Sequence, residues 1–245
     1  MKIISRILFS LSALSTLSLF SCTPTPDVVD LGLSVKWASM NLGAECPEDY
    51  GSYYQWATTE PVDSTARLSL ESYKFYKTSS DKDAEGFSKK KAHGFNKYVP
   101  KSEADDNGFD GFSDDLNTIA LEDDAAFAAL GENWRVPSLK EWRELEDSCT
   151  WVWCALNNVD GYKVTSNVAG FTDKWIFIPA AGYKGKHVAL ISSDFYDRGD
   201  KGCYWCDSVS VKRPAQALSF EFTKRRKYDE LSHRHMALPI RPVFR

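Results

Sequence analysis

Apolar and polar residues alternate in the C-terminal part of the chain, which is the pattern of strands with one buried face. Leu218, Phe220 and Phe222 are separated by Ser219 and Glu221, and successive side chains of a strand point to opposite faces of a sheet. Similar β-rich runs predict strands at residues 29–37, 53–56, 162–166, 175–178, 188–192, 203–208, 218–223 and 236–243. Sheet is therefore the main predicted structure of the C-terminal half.

Two short helices are predicted before most of these strands. Leu121, Ala125 and Ala129 recur every four residues, which is typical of an amphipathic helix, and Gly131 supplies a stop at its C-terminal end. The second helix begins with a capping box at residues 138–141, where serine and glutamate each satisfy a free backbone N–H. Its buried stripe is expected to hold Leu139, Trp142, Leu145 and Cys149.

The order of these elements indicates the fold class. An early strand is followed by a long polar insertion at about residues 63–115, then by the two helices and a run of strands. Segregated helices and strands favour an α+β fold over a parallel sheet built from βαβ repeats. We therefore expect one folded domain over residues 28–245.

The N-terminus has the features of an export signal. Lys2 and Arg6 precede an uncharged apolar run at residues 7–20, which is too short to span a bilayer. Residues 19–22 (Leu-Phe-Ser-Cys) resemble a bacterial lipobox. We predict a signal peptide at residues 1–21, with an ordinary cleaved signal as the alternative.

The lipobox resemblance implies that Cys22 carries a lipid anchor and that residues 22–27 form a short tether. Several acyl chains together hold a protein durably to a membrane. Thr23, rather than an aspartate, follows the cysteine, which favours the outer membrane. The surface and the periplasmic side of that membrane both remain open.

Charge is distributed unevenly along the chain. Residues 103–124 contain nine acidic and no basic side chains, whereas residues 201–245 contain ten basic and four acidic ones. The two segments either face each other within the fold or form surface patches that steer a partner.

The acidic segment contains a loose imitation of a calcium loop. Glu103, Asp105, Asn107 and Asp114 are spaced like ligands 1, 3, 5 and 12. The first and last acids are of the wrong type for such a loop, so we predict no metal and no cofactor.

Five cysteines remain once Cys22 is lipidated, and an odd count leaves at least one thiol free. Cys203 and Cys206 have CxxC spacing, but they lie in a strand-like stretch rather than at the start of a helix. Neither a second CxxC nor a pair of nearby histidines completes a zinc site. No nucleophile motif surrounds a serine, and we expect no enzyme activity.

The chain resembles the Fibrobacter succinogenes major paralogous domain family and, more distantly, sulfatase-modifying-factor domains. The resemblance runs from residue 29 to the C-terminus, and its individual motifs are short. The matching segments are 29–33 (VDLGL), 36–38 (KWA), 41–44 (NLGA), 47–51 (PEDYG), 123–126 (DDAA), 134–137 (WRVP), 141–142 (EW), 149–151 (CTW), 161–164 (GYKV), 177–183 (FIPAAGY), 204–205 (YW) and 240–243 (IRPV).

This resemblance implies a C-type-lectin-like fold, in which two helices pack on twisted antiparallel sheets with long irregular loops. It also implies that the first and last strands meet and that loops of the C-terminal half form a binding face. Some relatives are described as pilus-tip or surface adhesins. The Cys203–Cys206 pair does not align with the two cysteines of formylglycine-generating relatives, and the calcium-dependent sugar-binding motifs of lectins are missing.

The basic C-terminal segment supplies the candidate ligand face. Residues 224–227 form either a solvated hairpin turn or part of a binding surface. The candidate ligand-binding residues are Lys212, Arg213, Lys224, Arg225, Arg226, Tyr228, His233 and Arg234.

The expected function is a non-enzymatic, membrane-anchored binding module for a glycan or protein ligand. A structural or assembly subunit of a pilus or surface complex is the alternative, and a sulfatase-modifying-factor-type enzyme is a third hypothesis. Nucleic acid is not expected as a partner outside the cell.

Overall fold

The computed structural model describes residues 24–79, 93–185 and 194–245. In these ranges sixteen strands form five sheets with antiparallel pairing, and three short α-helices accompany them, which confirms the predicted α+β class. The strands are β1 (Val28–Val29), β2 (Lys36–Ala38), β3 (Tyr53–Gln55), β4 (Tyr76–Thr78), β5 (His93–Phe95), β6 (Trp134–Arg135), β7 (Cys149–Leu156), β8 (Val159–Ser166), β9 (Trp175–Pro179), β10 (Tyr183–Lys184), β11 (Phe195–Tyr196), β12 (Lys201–Val209), β13 (Gln216–Thr223), β14 (Arg226–His233), β15 (Ala237–Pro239) and β16 (Val243–Phe244). The helices are α1 (Ala104–Asn107), α2 (Ala125–Leu130) and α3 (Leu139–Ser148).

The sheets join distant parts of the chain. The first sheet has the order β1-β2-β16-β6, so the last strand, β16, pairs with β2 at the end of the predicted early strand and not with β1. The second has the order β11-β10-β15-β3, and two three-stranded sheets are formed by β7-β8-β9 and β12-β13-β14. Strands β4 and β5 pair as a separate hairpin.

Helix α3 forms where its capping box predicts. The Ser138 hydroxyl accepts a hydrogen bond from the Glu141 backbone N–H at 3.3 Å, and the Glu141 carboxylate accepts one from the Ser138 N–H at 2.8 Å. The helix ends at Ser148. Cys149 is buried as the first residue of β7, so its predicted place on the helix stripe is wrong.

Helix α2 is shorter than predicted. Its N-cap is Asp124, whose carboxylate accepts hydrogen bonds from the backbone N–H groups of Ala126 and Phe127. Leu121 lies before this cap in a 3₁₀ turn and is half exposed. The Asp124 cap sets the start of the helix, so Leu121, the first residue of the predicted four-residue pattern, lies outside it.

The polar segment at residues 63–115 belongs to the core more than its composition suggests. Tyr73, Phe75, Phe95 and Tyr98 are buried in one cluster with Trp56. Their rings meet edge to face, as between Trp56 and Tyr98 at a centroid separation of 4.9 Å. Scattered aromatics thus tie much of this segment to the rest of the domain.

A second cluster lies between the β7-β8-β9 and β12-β13-β14 sheets and α3. The Trp142 ring stacks on Phe220, with centroids 4.8 Å apart and planes 5° apart, and also meets Trp37 at 4.7 Å. Buried aromatic pairs of this kind contribute about 0.5–1.5 kcal/mol beyond the area that they bury. The stacking of Trp142 on Phe220 fixes α3 against the β12-β13-β14 sheet.

Two predicted strands are divided in the structure, and several observed strands, including the long strands β7 and β14, were not predicted. The early run at residues 29–37 is interrupted by Gly32, which has a φ of +74°, and forms the two paired strands β1 and β2. The run at 236–243 is divided into β15 and β16, separated by residues 240–242. The predicted strand at 188–192 lies outside the described residues.

Candidate functional site

The turn between β13 and β14 carries three exposed cations. Lys224, Arg225 and Arg226 are exposed, and none of them forms an ion pair with any described residue. Register places Thr223 opposite Arg226, so the turn is tight and its side chains point outward. The turn therefore presents positive charge that no described acidic residue neutralises.

A row of half-buried tyrosines from two adjacent sheets adjoins this turn. The Arg226 guanidinium lies 4.5 Å from the centroid of the Tyr228 ring, and Lys201 Nζ lies 5.8 Å from the Tyr228 and Tyr183 centroids. Tyr183 stacks on Tyr196 at 5.5 Å, with planes 22° apart. We name this group the basic–aromatic patch; its members are Tyr183, Tyr196, Lys201, Lys224, Arg225, Arg226 and Tyr228.

Strand register explains why part of the patch shares one face. Lys201, Thr223 and Arg226 form one row across β12, β13 and β14, and Tyr228 lies two residues further along β14. The sheet's opposite face belongs to the aromatic cluster of Phe220 and Phe222.

Tyr183 reaches the patch through a close approach of two backbones. Gly182 and Gly202 form an isolated bridge between the sheet of β10 and the edge of β12. A Cβ atom on Gly202 would lie 2.1 Å from the Phe222 ring, and Gly182 has a φ of +61°. Glycine at 202 thus leaves room for the Phe222 ring of the neighbouring strand, and glycine at 182 fits a left-handed backbone packed against residues 196–198.

Lys201 is the one patch cation with a described acidic partner. Its Nζ lies 2.5 Å from Glu221 Oε2, and the Glu221 side chain is buried. Burial acts to lower the pKa of Lys201, but the neighbouring Cys203 and Glu221 raise it above its ordinary value. Lys201 is therefore charged and internally compensated, so the net charge of the patch comes from the turn.

Lys212, Arg213 and His233 lie at the other end of the same hairpin. Lys212 and Arg213 are exposed in the turn between β12 and β13, and His233 pairs with Gln216 at the start of β13. The eight residues of β13 separate the two ends by roughly 24 Å, at about 3.4 Å per residue. The structure therefore does not bring all the predicted ligand-binding residues into one face.

Arg234 is not part of an exposed face, and its assignment to the ligand surface is wrong. Its side chain has 0 % exposure. The guanidinium donates hydrogen bonds to the Tyr73 hydroxyl at 3.1 Å and to the carbonyls of Pro214 and Lys97 at 3.0 Å each. It also lies 4.5 Å from the centroid of the Phe95 ring. Arg234 is a structural cation that fastens residues 73–98 to the C-terminal strands.

The CxxC cysteines lie in the interior of the domain. Cys203 and Cys206 are free thiols, each at most 1 % exposed. Burial is the main cause that raises the pKa of both thiols well above the ordinary value, and nearby carboxylates raise it further. Such thiols are poor nucleophiles at neutral pH, because the thiolate is the reactive form.

Three of the four residues that are spaced like calcium ligands make hydrogen bonds within the domain. Asn107 lies in α1 and donates a hydrogen bond to Glu103. The Asp114 carboxylate accepts hydrogen bonds from the N–H groups of Tyr98 and Val99 at 2.7 and 2.9 Å. Across the described ranges, no group of three or more His, Cys, Asp or Glu side chains is arranged to hold a metal ion.

The described helices also bear on the question of membrane contact. None of them is both long enough and apolar enough to cross a bilayer. The predicted lipidation site, Cys22, and the signal peptide lie outside the described residues.

Sequence reasoning missed Tyr183, Tyr196 and Lys201 as patch members. Each lies at least 25 residues before Tyr228 in the chain; the pairing of β12 with β13 brings Lys201 to the hairpin, and the contact between residues 182 and 202 brings Tyr183 and its stacking partner Tyr196. Their signal in the sequence is weak, because short aromatic strands are common in the core. No protein family, curated protein or solved structure was found to match the chain.

Proposed function

We propose that this chain is an exported, membrane-anchored lipoprotein that binds an anionic glycan or an acidic protein through the basic–aromatic patch. The observation that carries the proposal is the combination of three uncompensated cations with an adjoining row of half-buried tyrosines. Cations attract the ligand over a distance that depends on ionic strength. Aromatic rings supply rigid apolar area for contact at low cost in conformational entropy.

A binding role without catalysis is supported by the state of the thiols and carboxylates. The two cysteines with CxxC spacing are buried and protonated. Asp123, another buried carboxylate, accepts hydrogen bonds from Lys74, Lys97 and the Tyr98 hydroxyl. These groups are engaged in the architecture of the domain.

We also propose a C-type-lectin-like arrangement related to the Fibrobacter succinogenes major paralogous domain. Its support is the pairing of β16 with β2, the packing of α3 on the sheets, and the long loops between short strands. With both ends of the domain in one sheet, the tether at residues 22–27 leaves from that sheet. We place the protein at the outer membrane, on its surface or periplasmic side.

The ligand proposal is tested with the full chain purified in a mild detergent. Binding to arrays of neutral and anionic glycans and to an acidic model protein is measured for the unchanged chain and for Lys224→Ala/Arg225→Ala/Arg226→Ala. We expect binding to anionic probes, reduced at least tenfold in the triple variant and weakened by salt. Lys212→Ala/Arg213→Ala is the matched control, because it removes two exposed cations from the other end of the hairpin.

Equal loss of binding in the control and triple variants would mean that net charge, and not the patch, attracts the ligand. Binding that survives in the triple variant would exclude the patch.

The anchor is tested separately: Cys22→Ala should move the chain from the membrane fraction to the soluble fraction, and retention in the membrane would contradict lipidation.

An assembly subunit is the second candidate function. It is favoured by one observation that is independent of the patch: strand β7, at one edge of the β7-β8-β9 sheet, contains no charged residue.

A further inference from the structure

Strand β7 is an edge strand with an unusual sequence. It pairs with β8 through eight consecutive residue pairs, from Cys149–Ser166 to Leu156–Val159, and no strand of residues 24–79, 93–185 or 194–245 lies on its other side. Its sequence, CTWVWCAL, contains no charged residue, no proline and no glycine. Long, regular, uncharged edges are templates for pairing with another strand.

The turn that follows β7 determines which backbone groups face outward. Asn157 and Asn158 have φ values of 48° and 66°, which fit the two-residue type I′ turn of a hairpin. In such a turn Leu156 and Val159 form a hydrogen-bonded pair. Along the rest of the ladder, hydrogen-bonded pairs alternate with non-hydrogen-bonded pairs, whose backbone groups point away from the partner strand.

The N–H and C=O groups that point away from β8 therefore belong to Cys149, Trp151, Trp153 and Ala155. None of these backbone groups is hydrogen-bonded to another described residue on that side.

The other two long edges in the described part of the chain are protected. Strand β14 carries four charged side chains: Arg226, Lys227, Asp229 and Glu230. Strand β12 is covered by loops: the backbone of Asp207 bonds to Ile119 and Pro137, and Val209 bonds to Asn117. These are the usual ways in which proteins block edge pairing. Strand β7 lacks both.

We propose that β7 pairs antiparallel with β7 of a second copy of this chain. A two-fold pairing that joins the outward backbone groups places Trp151 opposite Trp153 of the second copy, and Cys149 opposite Ala155. The symmetric register then centres on Val152. This arrangement forms about eight new backbone hydrogen bonds and a continuous six-stranded sheet.

The side chains support a second copy as the occupant of this edge. Val152 is 53 % exposed, the highest value among the large exposed hydrophobic residues in the described ranges. At the two-fold axis it lies against Val152 of the second copy, so the most exposed apolar side chain becomes covered. Thr150 lies opposite Cys154, and no like charges meet within the paired strands. The edge is thus complementary to itself.

Disulfide trapping in membranes of cells that express the full chain tests this register. Val152→Cys is compared with Val211→Cys, because Val211 is 48 % exposed but lies away from β7. Both changes are made in a chain that carries Cys46→Ser and Cys154→Ser, since those native thiols are half exposed. After mild oxidation with diamide, we expect a disulfide-linked dimer for Val152→Cys and only background for Val211→Cys.

A second variant separates strand pairing from random contact. Ala155→Pro removes an outward N–H that is not bonded within the chain, and proline is tolerated at such positions on an edge strand. Added to Val152→Cys, it should reduce the dimer to background while resistance to protease is retained.

Three results would overturn the proposal. They are equal cross-linking of the two cysteine variants, cross-linking to other proteins instead of a second copy, and full cross-linking in the presence of Ala155→Pro. None of these depends on the basic–aromatic patch, so the outcome is separate from that of the ligand test.

Discussion

Arg234 donates a hydrogen bond from Nε to the Tyr73 hydroxyl at 3.1 Å, although 161 residues separate them. The Tyr73 hydroxyl in turn donates to the carbonyl of Trp56 at 2.8 Å. Both side chains are buried, and the Arg234 guanidinium lies 5.1 Å from the centroid of the Trp56 ring. One arginine therefore connects the early strands, the polar segment at residues 63–115 and the C-terminal hairpin.

We predict that Arg234→Ala destabilises the domain by about 3 kcal/mol or more, because it leaves several buried acceptors without a donor. Urea denaturation followed by tryptophan fluorescence measures the change. Arg213→Ala is the control, since Arg213 is exposed in a turn, and it should change the free energy of unfolding by less than about 0.5 kcal/mol. Similar stability of the two variants would contradict the structural role of Arg234.

Arg234 also illustrates what the sequence leaves undetermined. It lies between two histidines in a basic segment, and nothing local distinguishes it from exposed Arg213. Its burial is decided by partners such as Tyr73 and Lys97, which are more than 130 residues away. Long-range contacts of this kind leave no periodic pattern in the chain.

Local signals, in contrast, were sufficient to predict α3 and strand β13. The capping box and the alternation of residues 218–223 act within one turn or one strand, so the sequence contains the whole cause. Strand β7 was missed because this local signal is lacking. Aromatic and apolar residues occur on both of its faces, so its sequence shows no alternation of apolar and polar residues. The edge position that makes β7 interesting is a property of the sheet and not of the strand.

The capping box of α3 gives a prediction at a smaller scale. Ser138→Ala removes the acceptor for the Glu141 N–H and should reduce stability by about 1 kcal/mol. Ser102→Ala is the control, because Ser102 is exposed in a 3₁₀ turn that begins without a side-chain cap. If the two alanine variants unfold at the same urea concentration, the cap contributes nothing.

Buried phenols predict a loss of stability at high pH. Burial raises the pKa of four tyrosines from 10.0 to about 12; they are Tyr53, Tyr54, Tyr73 and Tyr183. Below pH 10 these phenols are protonated in both the folded and the unfolded chain, so the full stability is present. Between pH 10 and about 12 the unfolded chain releases protons that the folded chain retains, and unfolding becomes more favourable as the pH rises.

Near-ultraviolet absorbance of the phenolate measures this effect. In the folded chain we expect one group of tyrosines to titrate near the ordinary pKa and another to titrate only as the protein unfolds. In urea all eleven tyrosines should titrate together near pH 10. A single transition near pH 10 in a chain that stays folded would show that these phenols are accessible.

The five described cysteines should differ sharply in their reactivity. Cys46 and Cys154 are half exposed, whereas Cys203 and Cys206 are buried with raised pKa values. Burial also raises the pKa of Cys149, to about 11. Because alkylation requires an accessible thiolate, iodoacetamide at neutral pH should label Cys46 and Cys154 first and the buried three only after denaturation.

Mass spectrometry of tryptic peptides reads the labelled positions. Rapid labelling of Cys203 in the folded chain would reveal an accessible thiol and would revive a redox or catalytic role for the CxxC pair. Slow labelling of Cys203 and Cys206, at the rate of global unfolding, would instead place both thiols among the packing residues of β12. The same measurement with Glu221→Gln tests the influence of charge, because this carboxylate also raises the pKa of Cys203: if burial dominates, its removal leaves Cys203 unreactive.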